Sequence, residues 1–222
     1  MIFHRQKGIF VHIPRTGGTS IEDMLWPDKK TRTEADLWMG FVDPYHNRFQ
    51  TGGLQHLLAG QIRAAVGPET FARYFKFALV RNPWDKAVSQ YFYMKKRRDL
   101  MDYVGMGEGD DLKRYLALIT SKKHVQWEDQ YKFIYNSDGQ LLVDFVGRFE
   151  NYSADVTRIL NKLKVRMRLL GIPLRKLLHV NKTSRRHYSE YYDDESRDFI
   201  SNLYQKDIEL FEYRFERTAS AR

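Results

Sequence analysis

The chain has 222 residues, 42% of them hydrophobic, with 14 phenylalanines and 14 tyrosines, enough apolar material for one ordinary domain and too much for a disordered chain. Cysteine is absent, which excludes disulfides, thiolate metal sites and a Cys nucleophile. The net charge of +9 favours acidic partners without choosing among nucleotide, nucleic acid, polyanionic sugar and anionic lipid. No apolar run approaches the ~20 residues that a membrane span needs, and Met1–Lys7 holds no stretch suited to a signal peptide; a cytoplasmic protein without stable membrane insertion is expected.

In chain order, Gly8–Ile13 is a short apolar run read as a buried strand. Helical character follows from Thr19 to Leu25 and stops before Pro27. Residues 28–54 read as irregular, with Asp43-Pro44 and Gly52-Gly53 as turn signals. Two short helices are predicted over Leu57–Val66 and Glu69–Tyr74, split by Gly67-Pro68. Phe75–Val80 is a second core strand, and Pro83 opens a long helix to about Arg98. Gly105, Gly107 and Gly109 mark a loop before an amphipathic helix near Asp111–Ile119. Leu141–Phe145 reads as a third strand, Ala154–Leu163 as a helix, and Ser189–Tyr213 as helical with an acidic start at Asp193-Asp194-Glu195. The basic stretch Lys162, Lys164, Arg166, Arg168, Arg175 and Lys176, interleaved with leucines, reads as the solvated face of an amphipathic helix. Strands alternating with helices predict an α/β fold: a P-loop-like three-layer α/β/α arrangement around a central parallel β-sheet.

Ligands of such sheets sit at the carboxyl ends of the strands. Two segments there carry anion chemistry. After the first strand comes Pro14-Arg15-Thr16-Gly17-Gly18-Thr19-Ser20. Gly17 and Gly18 let successive backbone N–H groups converge on one anion, the following helix N-terminus favours negative charge, and Arg15 adds a planar cationic fork. It is not a Walker A loop, because no lysine follows the second glycine. After the second strand come Arg81-Asn82-Pro83 and, eight residues past the arginine, Ser89, placed to close on a second phosphate. Two such clamps read as the grip on one nucleotide with phosphates at both ends.

At these residues the chain resembles a known family. Phe10–Ser20 is similar to the 5′-phosphosulfate loop, and Phe77–Tyr91 to the 3′-phosphate motif, of sulfotransferases that use 3′-phosphoadenosine 5′-phosphosulfate (PAPS). The carbohydrate, heparan 2-O-type branch and its bacterial counterparts look nearest. Gly147-Arg148-Phe149-Glu150-Asn151 and Asn181-Lys182-Thr183-Ser184, with Tyr191-Tyr192 behind them, follow the same pattern, so the resemblance spans about Gly8 to Tyr213.

The resemblance implies a single domain over 1–222 that moves a sulfuryl group from PAPS to an acceptor hydroxyl, releases the bisphosphate PAP and requires no metal. It implies that Arg15, Thr16, Gly17, Gly18, Thr19 and Ser20 hold the 5′ end, Arg81 and Ser89 the 3′ phosphate, with Lys182, Thr183 and Ser184 in support. It also implies His56 as the base that deprotonates the acceptor, with Arg15 catalytic beside it. Glu22 and Asp23 stay open as alternative bases. His12, inside the first strand, is expected to be a satisfied core residue. Most relatives carry lysine where this chain has Arg15, and an arginine does not readily give up a proton. The segments 28–54 and 99–140, with Trp38, Tyr45, Trp127 and Tyr131, are expected to wall the acceptor site, and the basic surplus suits a saccharide. Two other classes remain in view: a P-loop phosphotransferase needing magnesium and ATP, and a nucleic-acid-binding module, which leaves the paired clamps unexplained.

Overall fold

The computed structural model describes residues 1–26, 36–37, 56–165 and 185–218. Its centre is a four-stranded sheet in the order β1-β2-β3-β4: β1 Ile2–Phe3, β2 Gly8–Val11, β3 Phe75–Val80 and β4 Phe145–Arg148. β2, β3 and β4 run parallel, with Phe10 opposite Phe77 and Leu79 opposite Gly147. The sheet is therefore parallel, as expected, except at one edge. There β1 pairs antiparallel with β2 through a tight turn whose Lys7 takes a left-handed φ of 52°. Two residues carry no readable strand period, so β1 was not foreseeable from pattern.

Successive side chains along a strand point to opposite faces. Ile9, Val11, Ala78 and Val80 enter one apolar cluster, whereas Phe10, Phe77 and Leu79 enter another. The first cluster is closed by helices α2 (Ala59–Val66), α3 (Pro68–Arg73), α4 (Pro83–Met94), α5 (Arg98–Val104), α6 (Leu112–Ile119) and α7 (Tyr131–Ile134). The second is closed by α1 (Gly18–Leu25) and α8 (Tyr152–Lys162). Helices on both faces of a mostly parallel sheet make this the expected α/β architecture.

Several boundaries differ from the sequence reading, for local reasons. Leu141–Val143 lies outside the sheet. Leu142 N–H donates to Ile134 O, and Leu141 bridges Tyr135 across a turn that Asn136 Oδ1 closes by accepting from Asp138 and Gln140 N–H. Strand β4 begins only at Phe145. The helix opened by Pro83 ends at Met94 because Arg97 turns extended, its guanidinium on Asp99 and Tyr93, before α5 starts. The C-terminal stretch breaks into a 3-10 turn at Tyr188–Tyr191, α9 at Asp194–Leu203 and α10 at Gln205–Leu210. Asp193 caps α9 by accepting from Ser196 N–H at 2.7 Å, which is why the acidic run starts a helix instead of continuing one.

The end of β3 is held with unusual completeness. Gln130, fully buried, accepts Arg81 N–H through Oε1 and donates to Arg81 O through Nε2, each at 2.8 Å. Its own N–H donates to Asp207 Oδ2 on α10, also at 2.8 Å. Burial pushes the Asp207 carboxyl up to about 6, against the pull of those backbone donors. Asn82 then caps α4, its Oδ1 accepting from Trp84 and Asp85 N–H. Replacing Gln130 by Ala strands two buried backbone groups, and the expected loss is about 2–4 kcal/mol in urea unfolding.

Candidate functional site

Adjacent parallel strands β2 and β3 deliver the two clamps side by side. In the first, Thr16 Oγ1 donates to Ile13 O at 2.8 Å and folds the loop onto the strand end. Arg15 and Gly17 both take positive φ, 65° and 84°. Helix α1 then starts at Gly18 with no side chain capping it, which leaves its N-terminal turn available to an anion. The two glycines are bare for different reasons. A Cβ on Gly17 would meet Tyr152 at 2.7 Å, and one on Gly18 would lie 2.2 Å from the His12 ring. Tyr152 Oη also donates to Gly17 O at 2.9 Å, tying α8 to the loop. Thr19 is exposed at the loop rim, whereas Thr16 and Ser20 are buried.

The second clamp interlocks with the first. Arg81 donates through Nε and Nη2 to Asp85 Oδ2, each at 2.7 Å, and through Nη1 to Arg15 O at 2.8 Å. Its guanidinium lies 3.9 Å over the Phe149 ring. Arg15 in turn reaches Ser89, donating to its Oγ through Nε at 3.3 Å and Nη2 at 3.2 Å, with Tyr93 4.4 Å beneath. Arg185, just before the C-terminal helices, pairs with the other oxygen of Asp85. Two guanidiniums thus hold one carboxylate, with the third, that of Arg15, on Ser89 close by. Burial, then Arg81, lowers Arg15 to about 10, and Arg185 adds to the effect. Burial pushes Asp85 upward, but Arg81 and Arg185 outweigh it and hold the carboxyl below its usual range.

His56 completes the group. Its Nδ1 lies 3.0 Å from His12 O, and a carbonyl only accepts, so Nδ1 carries the hydrogen and Nε2 the lone pair. Burial, followed by the neighbouring His12, holds His56 well below 6.5, so the ring is neutral at pH 7. The rings of His12 and His56 lie 4.6 Å apart, and His12 Nδ1 is 2.8 Å from Glu22 Oε1 on α1. His12 is a buried, bonded residue as expected, yet it lies against the loop. Asp23, the other carboxylate considered as base, is half-buried.

Of the sequence-derived residues, Arg15, Thr16, Gly17, Gly18, Thr19, Ser20, Arg81, Ser89, Glu22 and His56 gather at the ends of β2 and β3. Lys182, Thr183, Ser184, Trp38 and Tyr45 lie outside the described residues. Trp127 stacks on His124 at 4.8 Å, and Tyr131, with Lys206 Nζ 4.4 Å over its ring, packs against the larger cluster. Asp85, Arg185, Tyr93, Phe149 and Tyr152 were missed. Asp85 had a readable signal, four residues after Arg81 at the start of a helix; Arg185 stands next to the Asn181–Ser184 segment, but 100 positions from Asp85. Among the described residues no group of three or more His, Asp or Glu has the arrangement of a metal site.

A profile of the sulfotransferase family matches residues 1–214, nearly the whole chain. The chain belongs to the sulfotransferase family. This sulfotransferase is also similar to an uncharacterized protein of Archaeoglobus fulgidus, 30% identical over 105 residues that make up 47% of this chain and 80% of that protein. No solved structure matches it. Among its described residues no helix is long and apolar enough to cross a membrane.

Family membership gives sulfuryl transfer as the chemistry, and the gathered cations suit it, since negative charge must be held at both donor and leaving group. In this sulfotransferase the Gly18 notch is the tightest point of the loop. A Gly18→Ala variant is expected to expel the His12 ring and lose ~1–3 kcal/mol in thermal or urea unfolding, whereas Ala at Gly109, with open space around it, is expected to cost less.

Proposed function

We propose that the protein transfers the sulfuryl group of PAPS to a hydroxyl of a carbohydrate acceptor, acting as a single domain. The observation that carries this reading is the joining of the two clamps: Arg81 bonds the loop at Arg15 O, and Arg15 bonds Ser89. Three arginines against Asp85 and Glu150 leave a surplus of positive charge that suits a ligand with two phosphate sites. The bare Gly17 and Gly18 positions support the fit, because a loop with Cβ atoms there would collide with Tyr152 and His12.

On this reading the N–H groups of Thr16–Ser20 hold the 5′ end, and Arg81, Ser89 and Arg185 hold the 3′ phosphate. The donor, when bound, supplies a sulfuryl group on a phosphate leaving group. Arg15 neutralises charge at that leaving group and stays protonated at pH 7, with its pKa only lowered to about 10. It therefore acts as a fixed cation and not as a proton donor. His56 Nε2 takes the acceptor's hydroxyl proton, and its tautomer, set by His12 O, favours it over Glu22 and Asp23. A depressed pKa keeps His56 in its basic form through neutral pH, so the acid limb of kcat is expected below pH 6.5. The net charge of +9 suits an anionic saccharide as acceptor, as it would other anions.

At about 100-fold its Kd, 3′,5′-adenosine bisphosphate is expected to raise Tm by about 5–10 °C, and ATP or AMP by far less. Stabilisation by ATP with magnesium in preference to the bisphosphate would contradict the reading and favour a phosphotransferase. Arg15→Ala is expected to abolish transfer, with Arg15→Lys retaining it. His56→Ala is expected to lower kcat ~10²–10⁴-fold while leaving bisphosphate affinity unchanged. Unchanged turnover in His56→Ala would move the base to a carboxylate.

A further inference from the structure

The pairing of Glu22 with His12 is buried on both sides. Glu22 is 1% exposed and His12 4%, and burying a carboxylate against an imidazole costs desolvation that an apolar pair of equal volume avoids. Its position suggests another use. Gly18 and Glu22 lie one turn apart on α1, so they present to the same side of the helix. The carboxylate accepts the His12 Nδ1 hydrogen at 2.8 Å, and the Cδ2–Nε2 edge of the ring fills the space where a Cβ of Gly18 would be, 2.2 Å away. His12 is therefore fixed at two points, both on the helix that the anion loop opens.

The same residue touches His56 twice. Its carbonyl accepts the His56 Nδ1 hydrogen at 3.0 Å, and its ring lies 4.6 Å from the His56 ring at an interplanar angle of 60°. Any rotation of His12 moves the surface against which His56 rests. A carboxylate that fixes one ring, which fixes a second, is the arrangement by which outer groups set the tautomer and plane of a working imidazole.

We propose that Glu22 and His12 are positioning residues for His56: Glu22 locks the His12 ring into the Gly18 notch, and His12 holds His56 in the plane and tautomer that aim Nε2 at the acceptor. The base is thereby referenced to the anion loop. This deepens the reading of His56 as the base and rests on it.

The test is the imidazole nitrogen spectrum of protein labelled with 15N-histidine, which needs no turnover. Wild-type His56 is expected to show the neutral form protonated at Nδ1. In Glu22→Gln the His56 signals are expected to shift or broaden as the ring loses the fixed face of His12, while Nδ1 stays protonated on His12 O. Alongside, kcat is expected to fall ~10–100-fold while the KM for the donor and the affinity for 3′,5′-adenosine bisphosphate hold. Glu22→Asp, which keeps the charge on a shorter arm, is expected to recover part of the loss, and it supplies the comparison if Glu22→Gln does not fold. A His56 spectrum in Glu22→Gln that superimposes on wild type would overturn the proposal, as would a wild-type His56 protonated at Nε2. If the wild type failed to bind the bisphosphate, the donor reading would fall, and the His56 spectrum would still decide this one.

Discussion

Asp85 stands between Arg81 and Arg185, and Arg15 lies close enough for both guanidiniums to lower its pKa. Arginine does not discharge itself as a buried lysine does, so three guanidiniums gathered out of water must be compensated by their surroundings. Asp85 supplies part of that, and Glu150 acts on Arg81 as well. The faces of Phe149 and Tyr93 supply more, as do the carbonyl of Arg15 and the hydroxyl of Ser89. What remains is a positive surplus with fixed directions, and every other feature of the site is arranged around it. The surplus sits between β2 and β3 because these strands are neighbours, parallel and in register, so their carboxyl ends open at the same level.

The rigidity behind that arrangement comes from parts of the chain far apart in sequence. Gln130 closes the backbone of Arg81 as a further strand would, and Asp207 holds Gln130 from α10. Glu150 accepts Asn82 N–H at 2.7 Å from the turn after β4. On the other side of the loop, Tyr152 and His12 occupy the spaces that Gly17 and Gly18 leave empty. The glycines thus serve packing as much as backbone freedom. The sulfotransferase scaffold holds its loop from both faces of the sheet, through α8 on one side and through the end of β3 on the other.

Much of this was readable in advance where local chemistry and global fold agree. The runs Ile9–Val11 and Phe77–Val80 are apolar without interruption, as strands buried on both faces must be, and Asn82-Pro83 is a cap followed by a first-turn proline. The glycine pair after a strand pointed to the loop. The misses lie where tertiary partners decide. Leu141–Val143 has strand composition, yet its hydrogen bonds go to Ile134 and Tyr135, so the third parallel strand starts later. Arg185 follows directly on the Asn181–Ser184 segment, but its pairing with Asp85, 100 positions away, has no periodic signal. His12 was legible as buried, but its contact with Gly18 and His56 follows from the packing of α1 on the sheet, which no spacing encodes.

The most direct measurement is the crystal structure of the protein with 3′,5′-adenosine bisphosphate. The expected result places one phosphate on the N–H groups of Thr16–Ser20 and the other on Arg81 and Ser89, with the Arg15–Ser89 contact exchanged for contacts to the ligand. A nucleotide bound elsewhere, with Arg15 still on Ser89, would contradict the account.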